Sequence, residues 1–246
     1  MKLSRNAVIA EIEDESGQKF SVATRVERIE RLGIGVDSYG PIAFTRGALS
    51  SWQNSRGIWT MQPDGSGLKK LELVNEITGI PDHAAWSPDG TRIAFGVRQG
   101  EADKKQWSLW VQELATASAI QAASFGPGEG PIWQPAWSPD GTQIAFEHGA
   151  VFQNGEPVDP RTNREIFVVG VDGSAESIQL TDTLEDSNHP TWSPDGSRIA
   201  FARSADKNQG IPYMIMLMNP DGTDGEFVTL GSDPSWSPDG KSIAFA

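Results

Sequence analysis

The chain repeats itself, and the repeat limits what it can fold into. Four segments read Trp-Ser-Pro-Asp-Gly, then two variable residues, then Ile-Ala-Phe. They occupy residues 86–95, 137–146, 192–201 and 236–245. A fifth Ile-Ala-Phe, at Ile42, Ala43 and Phe44, lacks the upstream half. The Ile residues fall at 42, 93, 144, 199 and 243, giving spacings of 51, 51, 55 and 44 residues. A period of this length marks an array of supersecondary units that bury their apolar faces only by stacking.

Each unit reads as four strands, A to D. Trp-Ser ends strand A. Ser-Pro-Asp-Gly is a tight turn, because Pro presets φ and Gly accepts the left-handed conformation. Ile-Ala-Phe is strand B, with Ile and Phe on one face of a period-two strand. Strand C follows a loop, as Ile58-Trp59-Thr60-Met61, Leu109-Trp110-Val111, Ile166-Phe167-Val168-Val169 or residues 214–218. A second Gly turn (Pro63-Asp64-Gly65, Asp172-Gly173, Pro220-Asp221-Gly222) leads to strand D. Four antiparallel strands per unit, with no helical period, predict an all-β chain: a β-propeller of four-stranded blades.

The repeated Trp86, Trp137, Trp192 and Trp236 then belong to the core between blades. Burying one removes about 150–250 Å² from water, a gross gain of roughly 4–6 kcal/mol. The repeated Asp89, Asp140, Asp195 and Asp239 read as turn residues that bond their own backbone rather than as a ring of ligands. Their spacing also fails a calcium-binding loop, which needs several carboxylates within twelve residues.

The repeats predict one domain over residues 1–246, of about five blades, with recognisable repeats over 41–246. The last repeat stops after strand B. Residues 7–12 and 20–26 alternate as strands and could supply its C and D strands, so that residues 1–40 close the ring. Residues 32–40 would be a degenerate strand A of the first blade. The alternative is a chain that lacks further blades.

Composition narrows the function. The absence of Cys excludes disulfides, Cys-type zinc sites and thiol catalysis. The 33 acidic and 20 basic residues give a net charge of −13, which argues against nucleic acid and anionic membrane surfaces as partners. No run of about 20 apolar residues suggests a membrane span. No signal peptide is visible, which makes the chain as written cytoplasmic.

The repeat Trp-Ser-Pro-Asp-Gly-x-x-Ile-Ala-Phe resembles that of the TolB-type β-propellers. Residues 180–196, with Leu180-Thr181-Asp182 and Asn188-His189-Pro190-Thr191-Trp192, are especially similar. So are Met61-Gln62-Pro63-Asp64-Gly65-Ser66-Gly67. The likeness covers residues 41–246 and is specific to the propeller class, not to one function. It implies relatives of two kinds. One is a periplasmic cell-envelope protein that binds partners including a peptidoglycan-associated lipoprotein. The other is the propeller that gates prolyl-oligopeptidase-type serine peptidases. The resemblance would place the chain in the periplasm if a leader had been removed. The export signal, small α/β domain and sixth blade of the periplasmic protein are not visible in the sequence.

Two sets of site residues stand out. His83 and His189 lie three residues before a repeated Trp, and Gln134 and Asp233 hold the same position in the other units. The D–A loop enters strand A there, so His83, Gln134, His189 and Asp233, with Asp82 and Asn188 beside them, should rim the axial channel. Such a ring could bind a single metal ion or a partner's polar groups. The bland alternative is that it only hydrates the channel. The long B–C loops supply the second set, Trp52, Phe152 and Arg161, suited to a peptide or protein epitope.

No Gly-x-Ser-x-Gly elbow, His-Glu-x-x-His or phosphate loop occurs. The leading expectation is a non-catalytic, monomeric scaffold for a protein or peptide partner, with no cofactor. The alternatives are a hydrolase or lyase using channel residues, or the gating piece of a serine peptidase.

Overall fold

The computed structural model describes residues 8–13, 19–24, 41–46, 57–100, 105–127, 129–149, 152–153, 156–157, 163–204 and 213–246. All regular structure among them is β-strand. By contacts the chain divides into two units, residues 1–42 with 60–69 and residues 43–59 with 70–246.

In the first unit, β1 (Val8–Glu13) and β2 (Lys19–Thr24) pair antiparallel, from Val8 opposite Thr24 to Glu13 opposite Lys19. Strands β3 (Ile42–Arg46), β4 (Gly57–Met61) and β5 (Lys69–Lys70), whose residues are divided between the two units, form a three-stranded sheet in that order, the B, C and D strands of the first blade.

Three complete blades follow in the second unit. The first has β6 (Ile80–Trp86), β7 (Arg92–Gln99), β8 (Gln106–Glu113) and β9 (Ser118–Phe125) in sequence order. The next has β10 (Ile132–Trp137) and β11 (Gln143–Gly149), then a small pair, β12 (Phe152–Gln153) and β13 (Glu156–Pro157). Strands β14 (Arg164–Gly170) and β15 (Ile178–Gln179) complete it. The third has β16 (Ser187–Trp192), β17 (Ile199–Arg203), β18 (Met214–Met218) and β19 (Glu226–Leu230). Strands β20 (Ser235–Trp236) and β21 (Ile243–Ala244) begin another. These are the antiparallel four-stranded blades of a propeller. Closure of the last blade by the N-terminal strands is not among the described pairings, since β20–β21 and β1–β2 form separate two-stranded sheets.

The Ile-Ala-Phe signature has a packing reason. Strand B is buried on both faces: Ile93, Ala94 and Phe95 are fully buried, as are Ile144, Ala145 and Phe146. The large pair points one way and the Ala the other. Ala94 of one blade shares a core cluster with Ile144 and Phe146 of the next. Ala145 in turn shares one with Ile199 and Phe201. A small residue on one face lets the bulky face of the neighbouring blade approach, and the pattern repeats around the stack.

The repeated Trp adds a polar link. Trp137 Nε1 donates to the Ala85 carbonyl at 3.1 Å, Trp192 Nε1 to Ala136 at 3.2 Å and Trp236 Nε1 to Thr191 at 3.3 Å. Each acceptor lies in strand A of the preceding blade, on the residue just before its own Trp or, for Thr191, just before Trp192.

Candidate functional site

The pairing registers place the two kinds of loop at one end of the blades. Ile80, at the start of strand A, lies opposite Arg98 near the end of strand B, and Ser187 lies opposite Arg203. The D–A and B–C loops therefore emerge together. The A–B and C–D turns emerge at the other end, where Arg92 lies opposite Glu113.

The turn end is chemically self-contained. Asp89 Oδ1 accepts from Ser87 Oγ (2.5 Å), Thr91 N–H (3.0 Å) and Thr91 Oγ1 (2.9 Å). Asp140, Asp195 and Asp239 each accept from the Ser two residues before and the amide two residues after. The Ser hydroxyl, then these amides, hold all four carboxyls below the usual range, Asp89 and Asp195 at about 2. Gly90, at φ 69°, closes the turn in a conformation that favours glycine.

The loop end is built differently. Strand A shifts register between Asp82 and Ala85, between Trp133 and Ala136, and between Asn188 and Thr191. One residue in each break has a left-handed backbone: His83 (φ 51°), Gln134 (46°) and His189 (52°). Asp233, at the same offset from Trp236, has φ 51°. Few non-Gly residues adopt this region, and Asn, Asp and His are enriched among those that do. The polar character of the position thus has a backbone cause as well as a positional one.

The bulge turns the His amides toward side chains of the preceding blade. His83 N–H donates to Thr45 Oγ1 at 3.0 Å and to Asp82 Oδ1 at 2.9 Å. His189 N–H donates to Glu147 Oε1 at 2.8 Å. Thr45 and Glu147 share a phase, three residues after the Ile of strand B; Gly96 and Ala202 hold it in the other units and offer no side-chain acceptor.

His189 also reaches forward. Its Nδ1 lies 3.1 Å from Asn188 Oδ1, and its Nε2 lies 3.4 Å from Asp233 Oδ1. The structure therefore brings Asn188, His189 and Asp233 together. His83 is paired with Asp82, Nε2 to Oδ2 3.8 Å, and Gln134 is exposed. Trp52 and Arg161 lie outside the described residues, and Phe152 is described only as part of the β12 backbone.

A buried charge cluster lies behind the His189 bulge. Glu147 is 1% exposed and faces Arg164, Nη1 to Oε2 3.5 Å. Arg164 Nη2 lies 3.4 Å from Asp186 Oδ2, and the Arg164 amide donates to Asp186 Oδ1 at 3.0 Å. The guanidinium lies over the Trp133 ring, 5.8 Å from its centroid. Beside them burial pushes the Glu165 carboxyl up, although Thr181 Oγ1 and the Thr183 amide donate to it. Sequence reasoning missed Thr45, Trp133, Glu147, Arg164 and Asp186. The shared phase of Thr45 and Glu147 was the available signal. Among the described residues no group of three His, Cys, Asp or Glu is arranged to hold a metal ion.

Residues 53–246 match the family described as the TolB beta propeller domain. The chain belongs to the TolB β-propeller domain family. The solved TolB of Acinetobacter baumannii superposes with a TM-score of 0.58 at 21% identity, over 84% of this chain and 46% of that one. An oligogalacturonate lyase in complex with manganese gives 0.55 at 16% identity, over 76% of this chain and 51% of that one. These two likenesses carry the TolB-type fold alone. A curated Bacillus subtilis relative, the uncharacterized peptidase YuxL, is 28% identical over 148 residues, 58% of this chain and 20% of that protein. The chain thus spans a fifth of that relative's length and under half of the Acinetobacter TolB.

Proposed function

We propose that this TolB-family propeller is a non-catalytic scaffold for a protein or peptide partner, docked at the end where the B–C and D–A loops emerge. The carrying observation is the rim. The side chains of His83, His189 and Asp233 are 28%, 34% and 36% exposed, while the two His backbones are tied to the preceding blade. Polar groups held in place before contact lose little freedom on binding. The opposite end offers carboxylates already occupied within their turns.

The test is capture of a partner by the immobilised chain, followed by affinity measurement on rim variants. The doubly substituted His189→Ala, Asp233→Ala protein should bind at least tenfold more weakly. Lys241→Ala, at the turn end, should bind as the parent does. Deleting residues 149–163 should also weaken binding. Unchanged affinity in the rim and loop variants would overturn this face.

A second reading is that the propeller gates a serine peptidase. The 28% identity to the Bacillus peptidase favours it. A fluorophosphonate probe applied to the native protein, recovered with a propeller-directed antibody, separates the readings. Labelling of a polypeptide well above 26.6 kDa supports the gate. An unlabelled protein rejects it.

A further inference from the structure

The chain carries eight Asp-Gly pairs, beginning at Asp64, Asp89, Asp140, Asp172, Asp195, Asp221, Asp224 and Asp239. Asp-Gly is the dipeptide in which the following backbone nitrogen most readily attacks the side-chain carboxyl, because glycine puts no side chain in the way. Seven of the eight are locked. In each, Oδ1 accepts from the amide two residues on: Ser66, Thr91, Thr142, Ser174, Ser197, Thr223 and Lys241. That bond fixes the carboxylate across the turn. The turn's hydroxyl and amide donors also hold each of the seven below the usual carboxylate range, so the protonated form that can lose water is scarce.

The eighth differs. Asp224 follows the locked turn at Asp221, before β19, and is exposed with φ 53°. Its Oδ2 is held by a side chain, Asn219 Nδ2 at 2.7 Å. A Cβ placed on Gly225 would meet nothing within 4 Å, as at Gly65 and Gly90, so no neighbour packs over that residue.

We propose that Asp224–Gly225 is a site of spontaneous backbone isomerisation to isoaspartate, and that the repeated turns protect the other seven pairs. The Gly225 nitrogen attacks Cγ of Asp224 and gives up its proton; the hydroxyl of the protonated carboxyl breaks from Cγ and leaves with a proton as water. The product is a five-membered succinimide. Water then opens the ring. Attack at Cγ restores Asp, and attack at the α-carbonyl gives isoaspartate, with no net change in mass. The main chain gains one carbon just before β19. Arg198, which donates to the Asp224 carbonyl at 3.3 Å and lies 3.5 Å from Glu226 Oε2, would lose its grip on the start of that strand.

The test uses the folded full chain, held at pH 6 and 37 °C, digested with trypsin and read by electron-transfer mass spectrometry. Residues 208–241 form one tryptic peptide that contains Asp221, Asp224 and Asp239, so the comparison is internal. IsoAsp at 224 should exceed that at 221 and 239 at least tenfold. In urea the three should convert within about threefold of one another. Asn219→Ala should speed conversion at 224 several-fold and leave 221 as it was. Comparable conversion at all three sites in the folded chain would overturn the proposal. So would an inert Asp224 over a time in which the unfolded chain reacts, or an equal rise at 221 and 224 in the variant.

Discussion

Trp192 Nε1 donates to the Ala136 carbonyl across a blade boundary, at 3.2 Å. The indole is 8% exposed and shares a cluster with Ala145 and Phe201. Its ring and its N–H therefore do separable things. Trp192→Ala should cost about 3–5 kcal/mol in urea unfolding. Trp192→Phe keeps most of the apolar burial and should cost about 1–2 kcal/mol, much of it from the lost bond. A parental stability for Trp192→Phe would mean the hydrogen bond contributes nothing.

The turn aspartates predict a pH dependence. Asp89 and Asp195 sit at about 2 in the fold, against an ordinary 3.8. A depressed carboxyl stabilises the fold fully above the unfolded value, and that contribution disappears as pH falls through the folded one. Stability should drop between pH 4 and pH 2. The doubly substituted Asp89→Asn, Asp195→Asn protein should be less stable at pH 7 and should show a shallower slope in that window. Urea midpoints at half-unit pH steps would show it, and a parental slope would reject it.

His148 predicts a second window. It is buried against Phe125, with ring centroids 3.5 Å apart, and edge-on to Phe167 at 5.2 Å. Burial pushes its imidazole down to about 4. The unfolded chain takes up the proton first, near 6.5, so stability is full above that pH and falls toward pH 4. His148→Phe should remove this dependence while keeping the stack. An imidazole resonance of His148 titrating near 6.5 in the folded protein would contradict it.

Glu147 joins two functions in one carboxylate, facing Arg164 and accepting the His189 amide. Glu147→Ala leaves the Arg164 guanidinium with Asp186 alone and the His189 amide without its acceptor, and should cost about 2–4 kcal/mol. Glu147→Gln keeps an acceptor for the amide and should cost less, about 1.5–3 kcal/mol. Chemical denaturation of both variants distinguishes charge from hydrogen bonding, and identical losses would assign the effect to charge.

The blade was readable because its instructions are local and repeated. Trp86 and its three equivalents mark the end of strand A, and Ile-Ala-Phe encodes a large face and a small face. The rim was half readable. Phase picked out His83, Gln134, His189 and Asp233 but not their backbone, because a bulge leaves only one break in an alternation. Their supports were hidden for another reason. Thr45 meets His83 from 38 positions away and Glu147 meets His189 from 42. That phase is filled in turn by Thr45, Gly96, Glu147, Ala202 and Ala246, so no polar residue type repeats there. Trp52, Phe152 and Arg161 lie between the repeated motifs of the sequence, where no pattern fixes a position.

The left-handed residue three positions before each Trp has one more implication. In the three complete blades it interrupts strand A without disturbing the Trp, the turn or strand B that follow. What stands there can change identity while the sheet keeps its registration, provided the newcomer tolerates the backbone. Asn, Asp or Gly should substitute freely, and Val or Ile should not. The architecture thus offers one interchangeable position per blade, where the side chain can change while the sheet behind it stays the same.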